Sequence, residues 1–153
     1  MAIGFRAAGP PADVGGLSAT EREIGLALPA EYRSFLQERN GGFLETSGFF
    51  DENTVVEEIF SAGPTSVRNL DQVEVMYGRY AGPESDQGLS PLLIPAGADP
   101  LGNLICVSAD EADAGTVYFW DHELVEGAHR SLEVGFRAFM ERLQTEEELF
   151  GGS

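Results

Sequence analysis

The chain has 153 residues, with 26 acidic against 9 basic ones for a formal net charge of −17, and every one of the 9 is an arginine. Such a surface repels nucleic-acid phosphates and anionic lipid, so neither nucleic acid nor membrane is an expected partner and a basic protein is, the alternative being a charge that serves only solubility or reflects a salt-rich or GC-rich host. A hydrophobic share of 42% excludes wholesale disorder, the single cysteine Cys106 excludes an internal disulfide, and the length predicts one domain burying roughly 68–70% of its unfolded surface.

No apolar run approaches the ~20 residues that span a bilayer. Residues 1–6 lack the basic stretch followed by apolar residues that marks a signal peptide, which makes the cytoplasm the expected compartment. Residues 7–16 are small, with Pro10, Pro11, Gly15 and Gly16. Residues 1–17 are therefore expected as a loosely ordered arm before a domain over 18–144. Ser18 and Thr20 offer overlapping capping boxes with Glu21 and Glu23, which predicts a short helix over 19–25. Pro29 suits the first turn of a second helix, along which Leu28, Tyr32, Phe35 and Leu36 recur at helical spacing. Asn40, Gly41 and Gly42 end it, since these residues accept a left-handed cap.

Residues 49–60 hold Thr54, Val55, Val56, Ile59 and Phe60 and read as extended, closed by Gly63-Pro64. Over 69–80, Leu70, Val73, Met76, Tyr77 and Tyr80 make a helical stripe. Strands are expected at 92–95, 104–107 and 116–120, separated by Asp- and Gly-rich turns. A last helix capped by Ser131 is expected to face the core with Leu132, Phe136, Phe139, Met140 and Leu143. An acidic tail over 145–153 is expected to fray. Helices first, strands clustered later and a helix last predict an α+β domain with a largely antiparallel sheet, covered by helices from both ends of the chain.

Three segments carry a family resemblance. The first joins Leu28-Pro29, Tyr32, Phe35-Leu36 and Asn40-Gly41-Gly42. The second runs from Ile94-Pro95 through Asp99 to Gly102-Asn103 and Val107. The third runs from Gly115 through Trp120-Asp121-His122 into the closing aromatic helix. In order and spacing, 18–143 resembles the SUKH (Smi/Knr-like) superfamily. The resemblance implies an α+β fold and a protein that binds another protein without catalysis. Many such proteins are immunity proteins that neutralise toxin domains, often nucleases; a smaller set are fungal cell-wall regulators. Phe43 stands where relatives frequently have tryptophan.

The most enzyme-like string is Asp121-His122-Glu123, since a histidine between carboxylates can serve as base or ligand. Adjacent residues on a strand point different ways, and the other histidine, His129, is expected at the start of the last helix, so a polar loop end is the expected reading. Asp110, Glu111 and Asp113 miss the calcium-loop spacing and read as an acidic hairpin turn. Cys106 lies in an apolar strand with no base beside it. No catalytic residue, metal ligand or cofactor site is expected. What remains is surface acid: Asp51, Glu52, Glu57, Glu58, Asp110, Glu111, Asp113, Asp121 and Glu123, taken together as the expected partner-binding set. The expected function is an immunity protein that blocks a toxin domain by stoichiometric binding. The alternatives are a regulatory scaffold of the Smi/Knr type and, behind it, an enzyme centred on Asp121, His122 and Glu123.

Overall fold

A computed structural model describes residues 3–63, 67–124 and 128–151. Seven strands form one antiparallel sheet in chain order: β1 (Phe5–Ala8), β2 (Gly42–Asp51), β3 (Thr54–Ile59), β4 (Leu93–Ala98), β5 (Leu104–Ser108), β6 (Thr116–Trp120) and β7 (His129–Gly135). The helices are α1 (Val14–Ile24), α2 (Ala30–Glu38), α3 (Val73–Tyr80) and α4 (Phe136–Glu141). This is the α+β architecture that the strand–turn–strand pattern predicts, and β4, β5 and β6 pair as adjacent strands of one sheet.

The N-terminal segment is not a loose arm. β1 pairs with β2, and Gly9 N donates to Gly41 O at 2.9 Å. α1 begins at Val14, capped by Asp13, whose Oδ1 accepts from Gly16 N at 2.6 Å. The capping boxes at Ser18 and Thr20 lose to this start because Leu17, Thr20 and Ile24 form the buried face, and that face needs helix from Leu17 onward. Gly25, at φ 76°, ends α1 in the left-handed region.

α2 follows Pro29 and buries Tyr32 and Leu36. After it, Asn40 does more than end a helix: buried, it donates from Nδ2 to Ala62 O at 3.0 Å and accepts at Oδ1 from Ala62 N at 2.8 Å. Gly41, at φ 80°, passes so close to β3 that a Cβ there would stand 2.6 Å from Ile59 O. The extended run begins at Gly42, earlier than expected, and turns at 52–53 into a hairpin. Pro64, expected to help close it, lies outside the described residues. α3 starts at Val73, later than 69, because Asn69 is left-handed at φ 65°.

The C-terminal expectation needs the largest correction. Residues 129–135 are strand, with Trp120↔His129, Phe119↔Arg130 and Tyr118↔Ser131 in register, so α4 begins only at Phe136. The periodicity of Leu132, Phe136 and Phe139 fits a helix, but the outer edge of β6 requires a partner, and pairing satisfies backbone groups that a longer helix would leave exposed. Ser131 accepts at Oγ from Glu133 N at 3.1 Å, and Glu133 sits at φ 61°, an irregularity on the edge strand rather than a helix cap. The tail is tied down as well: Phe49 and Gln144 exchange backbone hydrogen bonds at 2.8 and 2.9 Å. Thr145 and Glu148 cap each other at 2.9 and 3.1 Å, opening a wide helical turn at Glu147–Gly151. Gly152 and Ser153, the rest of the expected tail, and Met1 and Ala2 of the expected arm lie outside the described residues.

The core lies against both faces of the central strands, and every residue of β5 is buried. On one face Tyr80 of α3 meets Trp120 of β6 edge-on at 5.5 Å, and Tyr32 of α2 packs on Phe136 of α4 at 4.9 Å. Tyr32, Trp120 and Phe136 are buried, while Tyr80 is half-buried, and a large apolar side chain fully buried in this way contributes about 1.5–3 kcal/mol. Alternation along β6 puts Phe119 on the opposite face, where the Arg130 guanidinium lies 5.3 Å over its ring. Arg130 also reaches Thr54 Oγ1 at 2.5 Å and Asp51 at 3.5 Å. β7 is therefore joined to the β2–β3 turn although three strands separate β7 from β3 in the sheet, and the sheet curls around this second face.

Candidate protein-binding surface

Three parts of the chain meet at one end of the curled sheet: the β2–β3 turn, the β4–β5 turn at 99–103, and the residues that leave β6 (121–124) with Ala128, which leads into β7. Between them lies a cleft of about 480 Å³. Phe49, Val55, Phe119 and Ala128 supply apolar lining, Leu101 and Leu124 stand at its walls, and Glu52, Asp99 and Asp121 supply carboxylates. Among its described lining residues the only cation is Arg130. That charge is already engaged by Asp51, Thr54 and the Phe119 ring.

The turns are held by their own aspartates. Asp51 Oδ1 accepts from Asn53 N at 2.8 Å, and Asp121 Oδ1 from Glu123 N at 3.0 Å. Asp99 Oδ1 accepts from the backbone nitrogens of Leu101 and Asn103, each at 2.8 Å, while Asn103 Nδ2 donates to Asp99 Oδ2 at 2.9 Å. That donation leaves Asn103 Oδ1 as an acceptor, so the His122 ring, 2.8 Å away at Nδ1, must carry its proton there. Leu101 and Leu124 ride on this braced framework 77% and 50% exposed. Phe150, 53% exposed, stands edge-on to Phe49 at 5.5 Å beside the same cleft. Single exposed leucines are ordinary, but here two line one acidic cleft and Phe150 packs on a third lining residue, and apolar display gathered in this way marks contact surfaces.

The nine carboxylates expected as a partner surface fall into three groups. Asp51, Glu52, Asp121 and Glu123 gather at the cleft end, Glu123 with Leu124 and Ala128 on its neighbouring slope. Glu57 and Glu58 lie along β3. Glu57 accepts from Ser47 Oγ at 3.1 Å. Glu58 accepts from Asp71 N at 2.7 Å, and burial pushes its carboxyl up to about 7, with the Asp71 carboxylate adding to the rise and the backbone bond opposing it. Asp110, Glu111 and Asp113 occupy the β5–β6 turn at the opposite end of the sheet. Asp113 accepts from Ser108 Oγ at 2.5 Å and from the Tyr118 hydroxyl, and these bonds hold its carboxyl below the usual range. Asp110 accepts from Ala112 N at 3.0 Å, so this turn, too, is built by its acids.

Asp121, His122 and Glu123 do not converge: His122 turns to Asn103, and Asp121 to the Glu123 backbone. Among the described residues no group of three or more His, Cys, Asp or Glu side chains could hold a metal ion, and no helix is long and apolar enough to cross a membrane. Cys106 is fully buried, and burial pushes its thiol up. His129 lies on β7, and burial lowers its pKa. The sequence reading passed over Leu101, Leu124, Arg130 and Phe150. For Leu101 a signal existed: an apolar residue inside Asp99-Pro100-Leu101-Gly102, a turn that otherwise has no use for one.

The fold and this surface define a class, a single α+β domain on a seven-stranded antiparallel meander whose turn end opens as an acidic cleft. The chain belongs to the SMI1 / KNR4 family (SUKH-1), whose pattern matches residues 11–142. It is 28% identical over 121 residues to the SPbeta prophage-derived uncharacterized protein YokK of Bacillus subtilis (strain 168), an alignment covering 71% of this chain and 61% of that relative. No solved structure gives a significant match.

Proposed function

We propose that this protein is a non-catalytic immunity protein that acts in the cytoplasm and neutralises a basic toxin domain by one-to-one binding. The observation that carries this reading is the turn end of the sheet, where carboxylates surround displayed apolar side chains on braced turns. An interface of that kind combines anchors that bury apolar area with a charged rim that steers approach. The net charge of −17 supports a basic partner, since a toxin that cleaves phosphodiesters presents a positive groove to nucleic acid. Family membership supports binding over catalysis, and the prophage origin of the Bacillus relative accords with a role in competition between bacteria.

The test is protection. The C-terminal domain of the protein encoded immediately upstream is expressed in a sensitive host with and without this chain. Restored growth together with co-purification of a one-to-one complex supports the reading. A toxic domain that still kills, and leaves this chain free in the lysate, sinks it.

A further inference from the structure

We propose that the cleft bounded by the β2–β3 turn, the β4–β5 turn, residues 121–124 and Ala128 is the contact surface itself, and that it takes a cationic segment of the partner carrying apolar side chains. This inference rests on the reading of the chain as a binder of a basic protein and adds where and by what chemistry it binds. Two independent features lead to it. One is charge complementarity: Glu52, Asp99 and Asp121 line the cleft, and its single cation among the described lining residues is spent on Asp51 and Thr54. The other is apolar display: of the six exposed large hydrophobic side chains among the described residues, Leu101 and Leu124 line this opening and Phe150 packs on Phe49, which also lines it. The remaining three, Val14, Val75 and Leu92, are dispersed over α1, α3 and the start of β4.

The β2–β3 turn, the β4–β5 turn and residues 121–123 are already braced by their own hydrogen bonds, so the partner meets these parts preorganised and little ordering entropy opposes binding there. Leucine side chains that are half or more exposed in the free chain gain the most from being covered, and the rim carboxylates govern approach. The β5–β6 turn, although also acidic, has no exposed large apolar side chain. It is charged without being sticky.

The experiment uses the intact chain and two synthetic peptides of equal length and charge, one alternating arginine with leucine and the other arginine with serine. Affinities are read by calorimetry and the contact surface by amide chemical shifts. The leucine peptide is expected to bind about tenfold more tightly, the scale of one or two interface anchors. The largest shifts are expected at Leu101, Phe119 and Leu124. The double variant Leu101→Ala, Leu124→Ala changes only exposed side chains and should erase the preference while keeping the fold. Equal affinities, a preference that survives in the double variant, or shifts centred on Asp110 and Glu111 would overturn the cleft assignment and leave the basic-partner reading standing. Binding of neither peptide at low salt would overturn both.

Discussion

One side-chain oxygen, Asn103 Oδ1, stands 2.8 Å from the ring Nδ1 of His122 and 3.2 Å from its backbone nitrogen, tying the β4–β5 turn to the chain that leaves β6. Asn103 is itself buried and bonded to Asp99. Replacing it with alanine leaves Asp99 short of a donor and His122 without its acceptor. The expected cost is about 1–3 kcal/mol of unfolding free energy. Amide exchange at Leu101 and His122 should accelerate more than at core strand β5. Uniform acceleration across the sheet would show that the network braces nothing in particular.

The hydroxyl of Tyr32 is buried without a hydrogen-bond partner among the described residues, and burial pushes its pKa upward. The ring, packed on Phe136, is the useful part. Tyr32→Phe should therefore be neutral or stabilising by about 1 kcal/mol in urea unfolding, whereas Tyr32→Ala should cost about 3–5 kcal/mol. A loss of more than about 1 kcal/mol in the phenylalanine variant would mean that the hydroxyl has a partner.

The core of the fold was legible because patterns there have one physical solution. Leu104 to Val107 and Thr116 to Trp120 are short apolar runs between Asp- and Gly-rich turns, and they pair as expected. The stripe from Leu132 to Leu143 misled, since periodicity cannot weigh the need of β6 for an edge partner. The arm misled for a related reason: Phe5 to Ala8 has weak strand character, and only β2 beside it makes it a strand. At the candidate site the carboxylates were legible only as surface acid, without their grouping. Whether Asp121 neighbours Glu52 or Glu111 depends on which turns share an end of the sheet, and that follows from strand order, not from composition. The Thr145–Glu148 cap and the Phe49–Gln144 bridge are likewise products of tertiary placement.

Glu58 should make stability depend on pH in an unusual direction for a carboxylate. Its folded pKa is raised from 4.5 to about 7, chiefly by burial, so the folded chain holds the proton more tightly than the unfolded one. Its contribution is full below the unfolded value and is lost as pH rises through about 4.5 to 7. After solvent screening of this partly exposed group the loss is about 1 kcal/mol, or about 2–4 °C in Tm for a chain of this size. Glu58→Gln should remove that part of the decline when melting is compared between about pH 5 and pH 8. Parallel profiles for the two proteins would refute the assignment.

At the other end of the sheet Asp113 should behave in the opposite sense. The bonds from Ser108 and Tyr118 lower its pKa, so its contribution is present above the ordinary carboxylate range and lost as pH falls. Asp113→Asn should lower Tm near neutral pH by about 2–4 °C, while Glu111→Gln should leave it unchanged. Neither change should alter partner association, because this turn lies away from the cleft. Slower association in Glu111→Gln would move the contact surface to the β5–β6 turn.

The central claim, an acidic cleft that receives a basic protein, is tested most directly by stopped-flow association of this chain with the toxin domain proposed as its partner, across a salt series. The wild type is compared with Glu52→Gln, Asp121→Asn in the same chain. Association should slow steeply as salt rises, and the variant should associate more slowly at low salt with a flatter salt dependence. Dissociation should change little, since rim charges act on approach and the anchors at Leu101 and Leu124 hold the complex. Association rates that are indifferent to both salt and the double substitution would contradict the account.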